Sequence, residues 1–340
     1  MPYRIATLEG VTHGLYLLWW VHEKHLPADV VAAILAAGDI ALLLLEIPTG
    51  WFADRFGHRA SLLLGSAIQV AAMVFCWLGA GIPELVVASV LVAIGDGFRS
   101  GADEALLFRS CAALGQENRF LAIESRTHTL EVCALVALVA GGGLLATAWS
   151  FHAAWAAETL LCAAGGLCAW AMIEPPPAPT ANGDGEAADE AGTIPWRQLV
   201  PVVLPVALLG AASSAGSFVA QTSAGTSAAE LTVLVALITA AEAAGAAISL
   251  RVPAADGRGQ LILATIGALM AGIGVMVPAA FQAAVVGLAF LEGLGEPLRA
   301  AAIQRAVHDG MRARAASTAR ACDMLFSTIA LPLAGKWTTR

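Results

Sequence analysis

Charge is scarce in this 340-residue chain: Asp, Glu, Lys and Arg make up 13% of it, against roughly 25% in an ordinary soluble domain. With 58% apolar residues and a mean hydropathy of +0.75, that scarcity excludes a water-soluble fold. The machinery of soluble catalysis is missing too. Gly95-Asp96-Gly97-Phe98-Arg99-Ser100 places a serine where a dinucleotide-binding turn needs its third glycine, and there is no P-loop. No Gly-x-Ser-x-Gly nucleophile turn occurs, and His22-Glu23-Lys24-His25 lacks the zinc-protease spacing. No enzymatic activity, metal or cofactor is therefore expected. The formal net charge of −8, without a basic patch interleaved with aromatics, argues against a nucleic-acid partner. The six cysteines form no Cys-x-x-Cys and no pairing pattern, so they read as small apolar fillers. A cleavable leader is not evident, because Glu9 and His13 interrupt the first apolar run and no small-residue cleavage site follows it.

What the chain has instead is repeated apolar length. A bilayer core of about 30 Å is crossed by about 20 apolar residues in a helix. Runs of that order fall at about 5–21, 30–49, 61–80, 83–108, 127–147 and 151–173, then at about 198–220, 229–250, 260–277, 280–303 and 315–335. An all-α integral membrane protein with about eleven crossings, six plus five, is the expectation. The division is a first bundle over residues 1–173, an acidic and Pro-rich cytoplasmic linker over 174–196, and an incomplete five-helix bundle over 197–340. With the N-terminus placed in the cytoplasm, all but three of the 18 basic residues (Lys24, Lys336 and Arg340) fall in inner segments or inner helix halves. That bias orients the chain in a cytoplasmic membrane. The halves echo each other, since Asp54-Arg55-Phe56-Gly57 follows the second crossing and Asp256-Gly257-Arg258-Gly259 the eighth.

Gly50-x-x-x-Asp54-Arg55-x-Gly57-x-Arg59, read as a charged turn between the second and third crossings, resembles the signature loop of the major facilitator superfamily of secondary transporters. Glu46-Ile47-Pro48-Thr49-Gly50 and Ser100-Gly101-Ala102-Asp103-Glu104 resemble one bacterial branch of it. The resemblance implies two pseudo-symmetric bundles around a central site, with the Asp54 loop latching them on the cytoplasmic side. Three family features differ here. Phe108-Arg109 stands in place of a Tyr-Asp pair, the early fourth-crossing arginine is absent at Leu91-Val92-Ala93, and Ala140-Gly141-Gly142-Gly143-Leu144 replaces a Gly-Pro signature. The physics of the loop stands beside the resemblance: Gly50 and Gly57 permit close backbone approach, and Arg55 and Arg59 suit an anionic inner surface.

Ionisable side chains at membrane depth are costly and stand as functional candidates. Glu9 and His13 are four apart, which on a continuous helix puts them on one face and suits proton or substrate coupling. Asp96, Arg99 and Asp103 form a second stripe, and Glu292, Glu296 and Arg299 a third. Asp39 is a further acid near the middle of its run. By the resemblance, crossings one, four, seven and ten line the cavity, so Glu9, His13, Asp96, Arg99 and Glu292 are candidates for the substrate or proton site, and Asp39 joins them for its depth near the midplane. Asp103, Glu296 and Arg299 are candidate gating ion pairs, with interfacial snorkelling as the alternative role. The expected function is secondary transport of a small molecule by a monomer, proton-coupled and outward. The alternative is a truncated or non-transporting membrane protein.

Overall fold

The computed structural model describes residues 1–116, 119–175, 196–222, 227–249, 251–252, 257–306 and 309–338, and among them every regular element is helical. Helices satisfy their backbone groups internally, which hydrocarbon demands. In order they are α1 (Pro2–Ala6), α2 (Gly10–His13), a π-helical turn (Leu18–Glu23), α3 (Ala28–Phe56), α4 (His58–Leu78), α5 (Ile82–Arg99), α6 (Ala102–Ala113), α7 (Phe120–Ala148), α8 (Phe151–Ala171), α9 (Trp196–Thr222), α10 (Ala228–Ser249), α11 (Gly257–Met276), α12 (Phe281–Ala306) and α13 (Asp309–Thr338). Among the described residues nine helices are long and apolar enough to cross a membrane, and they match the second to tenth apolar runs. The first and eleventh runs are not among the nine. The eleventh is helical as α13 but carries Arg320 and Asp323, while the first is not one helix at all.

Two compact units emerge: Met1–Leu26 with Ala37–Asp184, and Pro27–Ala36 with Gly185–Arg340. In the first, Tyr3, Leu62, Ala102, Leu106 and Ala169 form a core that ties α1 to α4, α6 and α8. A second cluster, Val11, Leu15 and Ala154, seats α2 and the chain after it on α8. Close approach comes from small residues, as expected where lipid removes the hydrophobic drive between helices. A methyl group at Gly142 would overlap the Val11 carbonyl, so this member of the glycine run in α7 is where α2 packs.

In the second unit α10 packs on α12, and α9 is flanked by α11, α12 and α13. Leu209, Leu288 and Leu291 form one core and Ala220, Leu234 and Val285 another. The α10–α12 crossing is reciprocal: a Cβ at Gly245 would run into the Phe290 carbonyl, and one at Gly293 into that of Glu242. The first turns of α3 join this unit where Gly335 of α13 meets Ala32 and Asp29.

Candidate functional site

The first apolar run is interrupted at its most polar point. Helix α1 stops at Ala6, and Glu9 stands before α2 with φ +55°, a left-handed conformation uncommon outside glycine. Such a residue costs about 1–3 kcal/mol unless its surroundings hold it. Here they do, because each end of the break finds a side-chain partner. Arg99 of α5 donates to the freed Thr7 carbonyl at 3.1 Å. Glu158 of α8 accepts from the Thr12 backbone N–H at 2.8 Å and from the Thr12 hydroxyl at 3.1 Å, so it acts as an N-terminal cap lent by another helix. Irregular backbone at membrane depth persists where protein groups re-satisfy it in this way, and transporter sites are often built on such breaks.

The break turns the Glu9 carboxylate into the unit. Its Oε1 accepts from Gln69 Nε2 of α4 and lies 3.4 Å from the Arg99 guanidinium. Arg99 also holds Asp96 at 3.1 Å, one turn earlier on its own helix. One cation thus serves two half-buried carboxylates and a backbone carbonyl, with the fully buried Glu158 as a third acid close by. Beside this cluster lies a pocket of about 470 Å³ whose lining includes Thr7, Asp96, Arg99 and Asp103. The arrangement can bind and release a proton while a fixed arginine keeps the site partly neutral.

Several expectations change. Glu9 and His13 do not share a helical face, because Glu9 precedes the first turn of α2; His13 is exposed, and among the described residues no hydrogen bond or ion pair joins the two. Nor does the stripe Asp96–Arg99–Asp103 run along one helix. Helix α5 ends at Arg99, Gly101 adopts φ +71°, and Asp103 begins α6, where it pairs with Arg4 of α1. Arg4 also faces Glu131 at 3.5 Å, a role that its terminal position concealed. Asp39 is half-buried on α3, and among the described residues no hydrogen bond or ion pair joins it to these groups. In the second unit Glu296 and Arg299 do pair along α12, at 2.6 Å. The stronger partner of Arg299 is Asp323 of α13, which accepts two bonds at 2.5 and 2.7 Å. Asp323 was legible only as an acid inside an apolar run. Glu292, one turn before Glu296, sets its Oε1 against Gly210 of α9, where a Cβ would approach to 3.0 Å.

The motif from Gly50 to Arg59 is mostly not a loop. Helix α3 continues through Phe56, α4 begins at His58, and the whole turn is Gly57, at φ +99° and ψ 148°. A side chain there would be strained, and a Cβ would also meet the Glu174 carboxyl at 3.3 Å. Among the described residues Gly50 has no neighbour that excludes a side chain. Arg55 is exposed and lies over the Trp51 and Phe56 rings at 5.8 and 5.9 Å. The Asp54 side chain lies outside the described residues, as do Asp256 of the C-terminal echo and residues 176–195 of the linker.

Glu174, read from sequence as the first linker residue, is instead a fixture of this turn. It accepts from the backbone N–H of His58 at 3.2 Å and of Arg59 at 2.6 Å, capping α4, and pairs with Arg109 at 3.4 Å. Arg109, which departs from the family pattern, therefore has an acidic partner here. Arg59 in turn donates to the Trp170 carbonyl at 2.5 Å. Glu174→Ala is expected to lower stability by about 1–2 kcal/mol, the range for loss of a helix cap, and Glu174→Gln by less. Denaturation of the purified protein in detergent measures this; equal midpoints for parent and Glu174→Ala would rule the cap out.

A family model described as Major Facilitator Superfamily matches residues 6–334. No curated protein matches the chain. Among solved structures, a D-xylose–proton symporter is similar with a TM-score of 0.67 at 16% identity, covering 97% of this chain and 85% of that one. A bacterial homologue of the human lysosomal transporter Spinster, inward-facing and unoccupied, gives 0.67 at 18% identity, covering 97% and 79%. A POT family transporter in complex with 5-aminolevulinic acid gives 0.67 at 13% identity, covering 99% and 88%. At these identities the likeness is one of fold.

Proposed function

The chain belongs to the major facilitator superfamily, and on that premise we propose that it is a proton-coupled transporter that moves a small molecule across the cytoplasmic membrane by alternating access. The observation that carries the coupling is Arg99, shared by Glu9, Asp96 and the Thr7 carbonyl at the break in the first crossing, beside a pocket. A carboxylate held by an arginine at membrane depth changes its partners when it gains a proton, and a bond exchange of that kind links proton binding to helix position. Glu292 is the acid of the second unit that would contribute to the same pathway, with Asp39 and His13 as lesser members. Asp103 with Arg4, and Glu296 with Arg299, act as ion pairs that set the ends of the cycle. The turn at Gly57, with Asp54, Arg55 and Arg59, is the cytoplasmic latch, and the stretch after Glu174 and before α9 joins the bundles.

Export is the direction favoured by the branch resemblance of Glu46–Gly50 and Ser100–Glu104, and the basic-residue bias supports a cytoplasmic N-terminus. The test is proteoliposomes loaded with pyranine and exposed to a panel of small, partly apolar compounds. The parent is expected to move protons when a transported compound is added. Glu9→Gln, which cannot exchange a proton, is expected to lose that movement at least tenfold while still exchanging the compound between equal pools. Proton movement at the parental rate in correctly inserted Glu9→Gln protein would sink the proposal.

A further inference from the structure

We propose that Gln69 is the protonation reader of Glu9, a positioning residue whose side chain is complete in hydrogen bonds only when Glu9 carries a proton. The inference rests on the proton-coupled reading above and extends it to a residue that neither the sequence motifs nor the family match singles out. Gln69 is 0% exposed in the middle of α4. Its Nε2 donates to Glu9 Oε1, while its Oε1 is buried with no hydrogen-bond partner among the described residues. Rotating the amide does not solve this, because two acceptors would then face each other at Glu9. The carbonyl also points towards Gly95 of α5, where a Cβ would stand 2.5 Å from it. The amide is therefore confined between Glu9 and the α5 backbone.

A buried amide carbonyl without a donor is costly. The acid form of Glu9 is such a donor, since this carboxyl already accepts from the same amide. A protonated carboxyl and a primary amide close a ring of two hydrogen bonds: Gln69 Nε2–H still donates to one Glu9 oxygen, and the new O–H on the other donates to Gln69 Oε1. Loss of the proton leaves one charge-assisted bond and an orphaned carbonyl. Proton release thus withdraws a bond from α4 and leaves the Glu9 charge to Arg99 of α5, so one proton transfers the Glu9 side chain's allegiance from one helix to another. The other groups that face Glu9 are Asp96 and Arg99 on α5, Glu158 and Cys162 on α8, Cys76 on α4 and Tyr16 after α2. None of the acids among them can donate to Gln69 when ionised.

The test is infrared difference spectroscopy of the purified protein in liposomes across a pH titration, which needs no substrate. In the parent, a carboxylic C=O band that grows on acidification and is absent in Glu9→Gln identifies protonated Glu9. Gln69→Met, of similar volume, is expected to move that band to higher wavenumber, since its hydrogen bond is gone. Should Gln69→Met fail to fold, parent protein labelled with 13C-glutamine supplies the second measurement: one glutamine amide band should shift in step with the Glu9 band. A Glu9 band at the same wavenumber in Gln69→Met, or a labelled amide band that ignores it, overturns the role of Gln69 alone. Absence of any band lost in Glu9→Gln overturns the proton-coupled reading of Glu9 and this inference with it.

Discussion

Arg99→Ala is expected to abolish proton-coupled transport and to shorten the life of the purified protein in detergent. Among the described residues Arg99 is the one cation that meets Glu9 at 3.4 Å, Asp96 at 3.1 Å and the Thr7 carbonyl at 3.1 Å, and its side chain is 16% exposed. Removing one partner from a buried ion cluster costs about 3–5 kcal/mol, because the charges left behind are stranded. Lysine is not a substitute. A single ammonium cannot reproduce the planar fork that reaches two carboxylates and a carbonyl at once, so Arg99→Lys is expected to fold but transport at least tenfold more slowly. The structural and functional effects separate in the triple variant Arg99→Ala, Glu9→Gln, Asp96→Asn. With no stranded charge it should recover most of the thermal stability and none of the proton movement. A parental melting temperature for Arg99→Ala alone would show that the cluster is not what holds the break.

The second large effect is expected in the C-terminal unit. Asp323→Ala removes the two-bond partner of Arg299, whose side chain is 5% exposed, and leaves that guanidinium buried with Glu296 as its remaining acid among the described residues. The expected loss is about 3–5 kcal/mol. Glu296→Ala should cost less than about 1 kcal/mol, since that carboxylate is 46% exposed and water replaces much of what is lost. Chemical denaturation of the two variants in one detergent checks the order. Equal losses would mean that α12 and α13 are not joined through this pair.

Both arginines illustrate how far a helical repeat reads in the sequence. The spacing of Asp96 and Arg99, and that of Glu296 and Arg299, predicts contact along one helix, and both pairs form. The same rule failed between Arg99 and Asp103, because Ser100 and Gly101 end the helix between them. It failed again between Glu9 and His13, where a left-handed residue at the helix start removes the shared face. Periodicity assumes an unbroken helix, and both failures lie where the backbone leaves that state. The partners across helices, Gln69, Glu158, Asp323 and Arg4, carried no signal in spacing, since each is distant in sequence from the group that it meets.

Composition and hydropathy determined on their own that the chain is an all-helical membrane protein, and the Gly50–Arg59 motif pointed to its family, because bilayer thickness and backbone satisfaction leave so few solutions for runs of that length. Tertiary structure decided which polar residues work together. Glu174 reads as linker until it is seen capping α4 and holding Arg109, and Glu9 reads as one face of a helix until the break turns it toward Gln69 and Arg99. The reason is physical: burial of an apolar run is a property of that run, whereas the stability of a buried charge depends on groups that only packing brings within hydrogen-bond reach.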